Sequence, residues 1–180
     1  KPIQGLRRSV NGVLVQSDDT EYLYVPVLRQ LVKQEIPANT RIIPGEKYEA
    51  LLEDGGALSV LPKGETEPSP LAQNVLAAAV YGDSVYYLQT WGVSIRLMAY
   101  RAAADTVIRL YRFQEPMLEC ITAHKSGVCV MSQKGALYFF PFGEYAPRLL
   151  CSWQDEQGFM PRLEATGDLV VLYDVSSGQT

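Results

Sequence analysis

Acidic side chains in turns are the residues of this sequence best placed to do chemistry. Glu46, Asp83 and Asp168 each directly follow a glycine: Gly45, Gly82 and Gly167. Carboxylates in matching turns would suit a binding site for a polar ligand. A pair of them flanking a glycosidic bond would suit general acid–base hydrolysis. In a further segment the matching glycine is Gly127, and His124 and Lys125 stand just before it. His124 is the one histidine of the chain, so a Ser-His-Asp relay would have to use it. Trp91 and Trp153 lie near the ends of apolar runs, where an indole can anchor a sugar or a partner protein. The expected role of this set is binding, with catalysis as the alternative.

Other chemistry finds no footing. The chain has no Walker loop, no Rossmann glycine fingerprint and no G-x-S-x-G elbow. Asp18, Asp19 and Glu21 bunch together but lack the spacing and central glycine of a calcium loop. Cys120, Cys129 and Cys151 contain no C-x-x-C pair, and their odd number gives no complete disulfide framework. Each lies in an apolar run, so all are expected to be buried small hydrophobes. No metal or cofactor is expected.

The elements that must position these residues read as short strands. Runs of Leu, Val, Ile, Tyr and Phe are broken by Gly, Pro, Asp and Ser, the signature of β-structure. Such runs are Gly12 to Gln16, Glu21 to Val27, Val85 to Gln89, Thr106 to Phe113, Gly127 to Met131, Ala136 to Phe140 and Leu169 to Tyr173. Their alternation is partial, which predicts strands covered on both faces. Leu71 to Tyr81 and Val27 to Glu35 have helix-compatible composition. Their place in the repeat below predicts strands instead.

Gly56-Ala-Leu-Ser-Val-Leu-Pro-Lys-Gly64 returns 79 residues later as Gly135-Ala-Leu-Tyr-Phe-Phe-Pro-Phe-Gly143. The turn glycines Gly12, Gly45, Gly82, Gly127 and Gly167 are separated by 33, 37, 45 and 40 residues. An all-β period near forty residues fits a β-propeller blade, a four-stranded sheet stacked on its neighbours. One blade cannot bury both apolar faces alone; stacked blades can. The sequence therefore resembles the broad β-propeller repeat class, of the WD-repeat-like and quinoprotein-like kind. It lacks the Gly-His and Trp-Asp pairs of WD blades and the paired-glycine pattern, blade after blade, of kelch repeats. The closing Tyr173-Asp174-Val175-Ser176-Ser177-Gly178-Gln179 is similar to the tyrosine-aspartate-to-glycine turn of quinoprotein-type repeats.

The expected fold is thus all-β, a propeller-type array of about four to five blades in one domain, residues 1–180. Taking the turn glycines as starts gives units of approximately 11–44, 45–81, 82–126, 127–166, and 167–180 joined with 1–10. Two arrangements fit the count. Lys1 to Val10 pairs with Leu169 to Val175 and closes a small ring, or the chain is a section of a larger propeller. Equivalent turns of such blades converge at one mouth, which groups Glu46, Asp83, His124, Lys125 and Asp168.

With 180 residues, 20% charged and a net charge of −4, the chain has the balance of a globular domain. It has no cluster of Lys and Arg of the kind that binds nucleic-acid backbones. No apolar stretch is long enough to span a membrane, and no compartment is favoured. The expected function is a non-catalytic protein-interaction or scaffold propeller. The alternatives are a carbohydrate- or ligand-binding propeller, or a hydrolase or lyase using acids at the channel mouth.

Overall fold

The computed structural model describes residues 3–9, 11–17, 20–26, 29–34, 39–144, 146–152, 161–166 and 169–174. They fold as antiparallel strands. The first sheet holds β1 (Gly5–Ser9), β2 (Gly12–Ser17), β3 (Thr20–Val25) and β4 (Gln30–Gln34) in that order. The second holds β5 (Thr40–Ile43), β6 (Tyr48–Glu53), β7 (Leu58–Pro62) and β8 (Ser69–Ala72). The third holds β9 (Val75–Tyr81), β10 (Ser84–Trp91), β11 (Ser94–Arg101) and β12 (Thr106–Phe113). The fourth holds β13 (Met117–His124), β14 (Gly127–Ser132), β15 (Ala136–Pro141) and β16 (Arg148–Ser152). A hairpin of β17 (Pro161–Thr166) and β18 (Leu169–Asp174) follows. The only helical piece among the described residues is one 3-10 turn, Ala102–Ala104.

This is a β-propeller-type array: four four-stranded blades and a fifth, two-stranded sheet. Each blade is a meander, since its strands pair in chain order. Most of the described residues of both helix-compatible segments are strand, as their place in the repeat predicts, with a bend at Gln73 and Asn74. Val75–Tyr81 is β9 and Gln30–Gln34 is β4.

The blade frame differs from the one set by the turn glycines. Gly82-Asp83 is a two-residue connection, and the strands it joins pair directly, Tyr81 with Ser84. A tight hairpin joins antiparallel neighbours, so each first turn lies inside a blade and does not open one. Each blade therefore begins one strand earlier than expected, at Gly5, Thr40, Val75, Met117 and Pro161. Gly5–Ser9 pairs along its whole length with Gly12–Gln16, so it is the first strand of its blade.

The chain divides into two compact units, Lys1–Gln73 and Asn74–Thr180. In the first, Leu14, Leu23, Ala50, Leu51, Leu58 and Val60 are buried. Glu49 is also buried, and Ser9 Oγ donates to its Oε2 at 3.2 Å. Asn11 holds the blades of this unit together at one end. Its Nδ2 donates to the Glu65 carbonyl at 3.0 Å, and its Oδ1 accepts the Gly64 N–H.

In the second unit the third and fourth blades share a core of Leu88, Leu97, Phe113, Met117, Val128, Val130 and Phe140. Its rings meet at an angle: Phe113 and Phe140 have centroids 5.8 Å apart and planes at 82°, the edge-to-face arrangement that the ring quadrupoles favour. A second core, Cys120, Cys129, Met131, Leu137 and Leu163, lies between the fourth blade and the last hairpin. The strand β14 is buried at every position, and the outer strand β16 is exposed at every position. That contrast corrects one expectation: Cys120 and Cys129 are buried, but Cys151, on β16, is exposed.

The 79-residue repeat is a repeat of geometry too. Gly56 and Gly135 both have φ 80° and precede the third strand of their blades. Their N–H groups donate to Glu53 and Ser132 carbonyls at 2.8 and 3.1 Å. After the strand, Lys63 N–H donates to Lys47 O and Phe142 N–H to Ser126 O, at 2.8 and 3.0 Å. Glycines at φ 92° and 84°, Gly64 and Gly143, complete the turn; such positive φ is inexpensive only without a Cβ.

Candidate functional site

The first turns of successive blades are topologically equivalent, and the expected residues fall in them. Glu46 is exposed in the β5–β6 turn of the first unit, Asp83 is half-buried in the β9–β10 turn, and Lys125 is exposed in the β13–β14 turn. His124, the last residue of β13, is buried. Its Nδ1 accepts the Ser126 N–H at 3.4 Å, a contact within the turn. Asp168 and Trp153 lie outside the described residues.

Within residues 74–180, aromatic contacts link the Asp83 and Lys125 turns. Tyr81 leads into the Gly82-Asp83 turn. Phe142, in the β15–β16 turn, packs against Tyr81 at 6.1 Å and stacks on Tyr86 at 5.5 Å, centroid to centroid. The Phe142 N–H is held by the carbonyl of Ser126, beside Lys125. Tyr86 is buried beneath, and burial raises its hydroxyl pKa, keeping it neutral. Tyr81 and Phe142 are each 40% exposed. The result is a fixed aromatic step with Asp83 in the turn on one side and Lys125 in the turn on the other. A half-exposed aromatic pair of this kind can anchor a partner's side chain or stack a sugar ring. Among the described residues no three His, Cys, Asp or Glu side chains gather as metal ligands.

Trp91 does not belong to this group. It ends β10, whose first residue, Ser84, adjoins Asp83; the strand sets them roughly 23 Å apart at about 3.3 Å per residue. Trp91 is exposed, and the Arg96 guanidinium lies 4.3 Å above its ring. Near that opposite end the second unit contains a cavity of about 800 Å³, lined by residues from Leu76 to Arg162. None of the expected site residues that the structure describes lines it.

Tyr81 and Phe142 were absent from the expected set, yet the sequence carried a signal for one of them. Aligning the two G-A-L copies puts Phe142 opposite Lys63, a turn position where lysine is at home and a phenylalanine needs a reason.

No protein-family model matches the sequence, and no curated protein matches it either. Solved structures do. The N-terminal domain of Nup159 is 12% identical, with a TM-score of 0.54, over 97% of this chain and 60% of that one. The computationally designed Ika8 protein is 16% identical, with a TM-score of 0.59, over 99% of this chain and 60% of that one. TolB from Acinetobacter baumannii is 14% identical, with a TM-score of 0.57, over 89% of this chain and 44% of that one. The chain thus spans about 60% or less of these structures' own lengths. What the similarity shares with the strand pairing described above is the β-propeller fold.

Proposed function

We propose that this chain is a non-catalytic protein-interaction domain of the propeller type, residues 1–180 serving as one scaffold. It engages its partner through the Tyr81–Phe142 step. The observation that carries this reading is the half-exposed Phe142, pinned by its own backbone hydrogen bond and stacked on a buried tyrosine. A rigid, pre-placed aromatic loses little freedom on binding, which is why such residues act as interface anchors. Support by analogy comes from a further similar structure, 14% identical, described as S. cerevisiae Dbp5 bound to Nup159 and Gle1. That likeness is of fold, and function resides in the site.

The internal repeat supplies the test. Phe142→Lys installs the residue that the other copy carries at Lys63 on the same backbone geometry, so the blade should still fold. Immobilised wild-type protein should retain from a lysate a set of proteins that the Phe142→Lys variant loses at least tenfold, as counted by mass spectrometry. Equal retention by both would sink this reading. An exposed aromatic face also suits a sugar; a glycan array that loses signal with Phe142→Lys, and no such protein set, would favour that alternative.

A further inference from the structure

We propose that the cavity at the starts of β9, β13 and β17 binds a short peptide with both termini free, its ammonium at Glu115 and its carboxylate at Arg162. The site is independent of the Tyr81–Phe142 step: β13 starts at Met117 on the cavity wall and ends at His124 by that step, roughly 23 Å away by strand rise. At about 800 Å³ the cavity is within the roughly 300–1,000 Å³ range of small-ligand sites.

Its lining carries a peptide's complement in parts. Leu76, Ile95 and Met117 give an apolar floor for one aliphatic side chain, and Met117 is buried. Glu115 is the one carboxylate among the described lining residues. Tyr138 Oη donates to its Oε1 at 2.5 Å, which fixes the carboxylate. Arg162 is the one guanidinium among the same residues. Its Nη1 donates to the neighbouring Pro161 carbonyl at 3.3 Å, which keeps it close to the cavity wall. Gln114 and Gln133 add side-chain amides, each able both to donate to and to accept from a peptide bond. A ligand with one charge would leave the opposite wall charge unmatched. A sugar would match neither charge. An uncharged apolar molecule would bring no partner to either charge.

The test is calorimetric titration of the whole chain with a tripeptide library, Xaa-Leu-Xaa, as free, N-acetylated and C-amidated forms. The free library should bind with a Kd of millimolar or tighter, and each cap should weaken binding at least tenfold. In Glu115→Gln the free library should fall to the level of the acetylated one, and acetylation should no longer matter. In Arg162→Gln, an exposed position where folding is not at stake, the same should hold for amidation. Phe142→Lys should leave the titration unchanged, which separates this site from the protein-binding reading. No heat from the wild type at millimolar peptide overturns the proposal. So does a less than twofold effect of capping, or free leucine binding as tightly as the tripeptides.

Discussion

A Cβ placed on Gly127 would run into the Phe140 carbonyl oxygen and the Phe139 ring, whereas one on Gly82 would meet nothing within 4 Å. The two turn glycines are therefore needed for different reasons, crowding at one and φ 57° at the other. Gly82→Ala should cost about 1–2 kcal/mol, the left-handed penalty alone. Gly127→Ala should cost more, about 3 kcal/mol or above, because backbone must move; urea midpoints measure both. The thiols divide in the same way. Burial pushes Cys129 up to about 11 and raises Cys120 as well, and the thiolate is the reactive form. At pH 8 a thiol reagent should label Cys151 quickly and the other two only on unfolding. Tyr138 offers a pH test. Its hydrogen bond to the Glu115 carboxylate, and then burial, push its hydroxyl up to about 12 from 10.0. A raised folded pKa means stability that is present below pH 10 and lost as pH rises toward 12. The urea midpoint should fall further between pH 9 and 11.5 in wild type than in Tyr138→Phe.

At the scale of the strand, burial decides what a substitution does. Val130, on the wholly buried β14, is 0% exposed, and Leu150, on the outer β16, is 53% exposed. Val130→Ala should cost about 2–3 kcal/mol and Leu150→Ala under about 0.5. Deleting residues 1–9 should cost several of the roughly 5–15 kcal/mol of a typical domain, read by thermal melting. The reason is that β1 is the pairing partner of β2 and Ser9 the donor to buried Glu49. Much of this level was legible in the sequence. A run such as Gly127–Ser132, apolar at consecutive positions, has no polar face to show water, so it reads as a strand covered twice. The blade frame was not legible from glycines, because a glycine marks a turn and does not say which side of it a blade begins. The turn acids were legible as turn residues. Phe142 was hidden because an aromatic at a strand end looks like core, and Glu115 with Tyr138 because 23 residues separate them.

For the molecule as a whole, the described strands leave a 3-10 turn as their only helical company. Far-UV circular dichroism should give a helix fraction under about one-tenth, against roughly one-third for an average globular protein. The fold class was accessible from the sequence because a period near forty residues is a property of the chain itself, while a cavity exists only once distant turns have met. One feature of the repeat reaches beyond stability. At residues 63 and 142 the backbone makes the same hydrogen bond and is followed by a glycine of the same handedness, yet one side chain is lysine and the other phenylalanine. The main chain there is specified by neighbours that are common to both copies, so its course does not depend on which of the two side chains it carries. Such a position can change its chemistry in a single mutational step without passing through an unfolded ancestor. Two copies of one blade element can in this way diverge in what they recognise while remaining the same in how they are built.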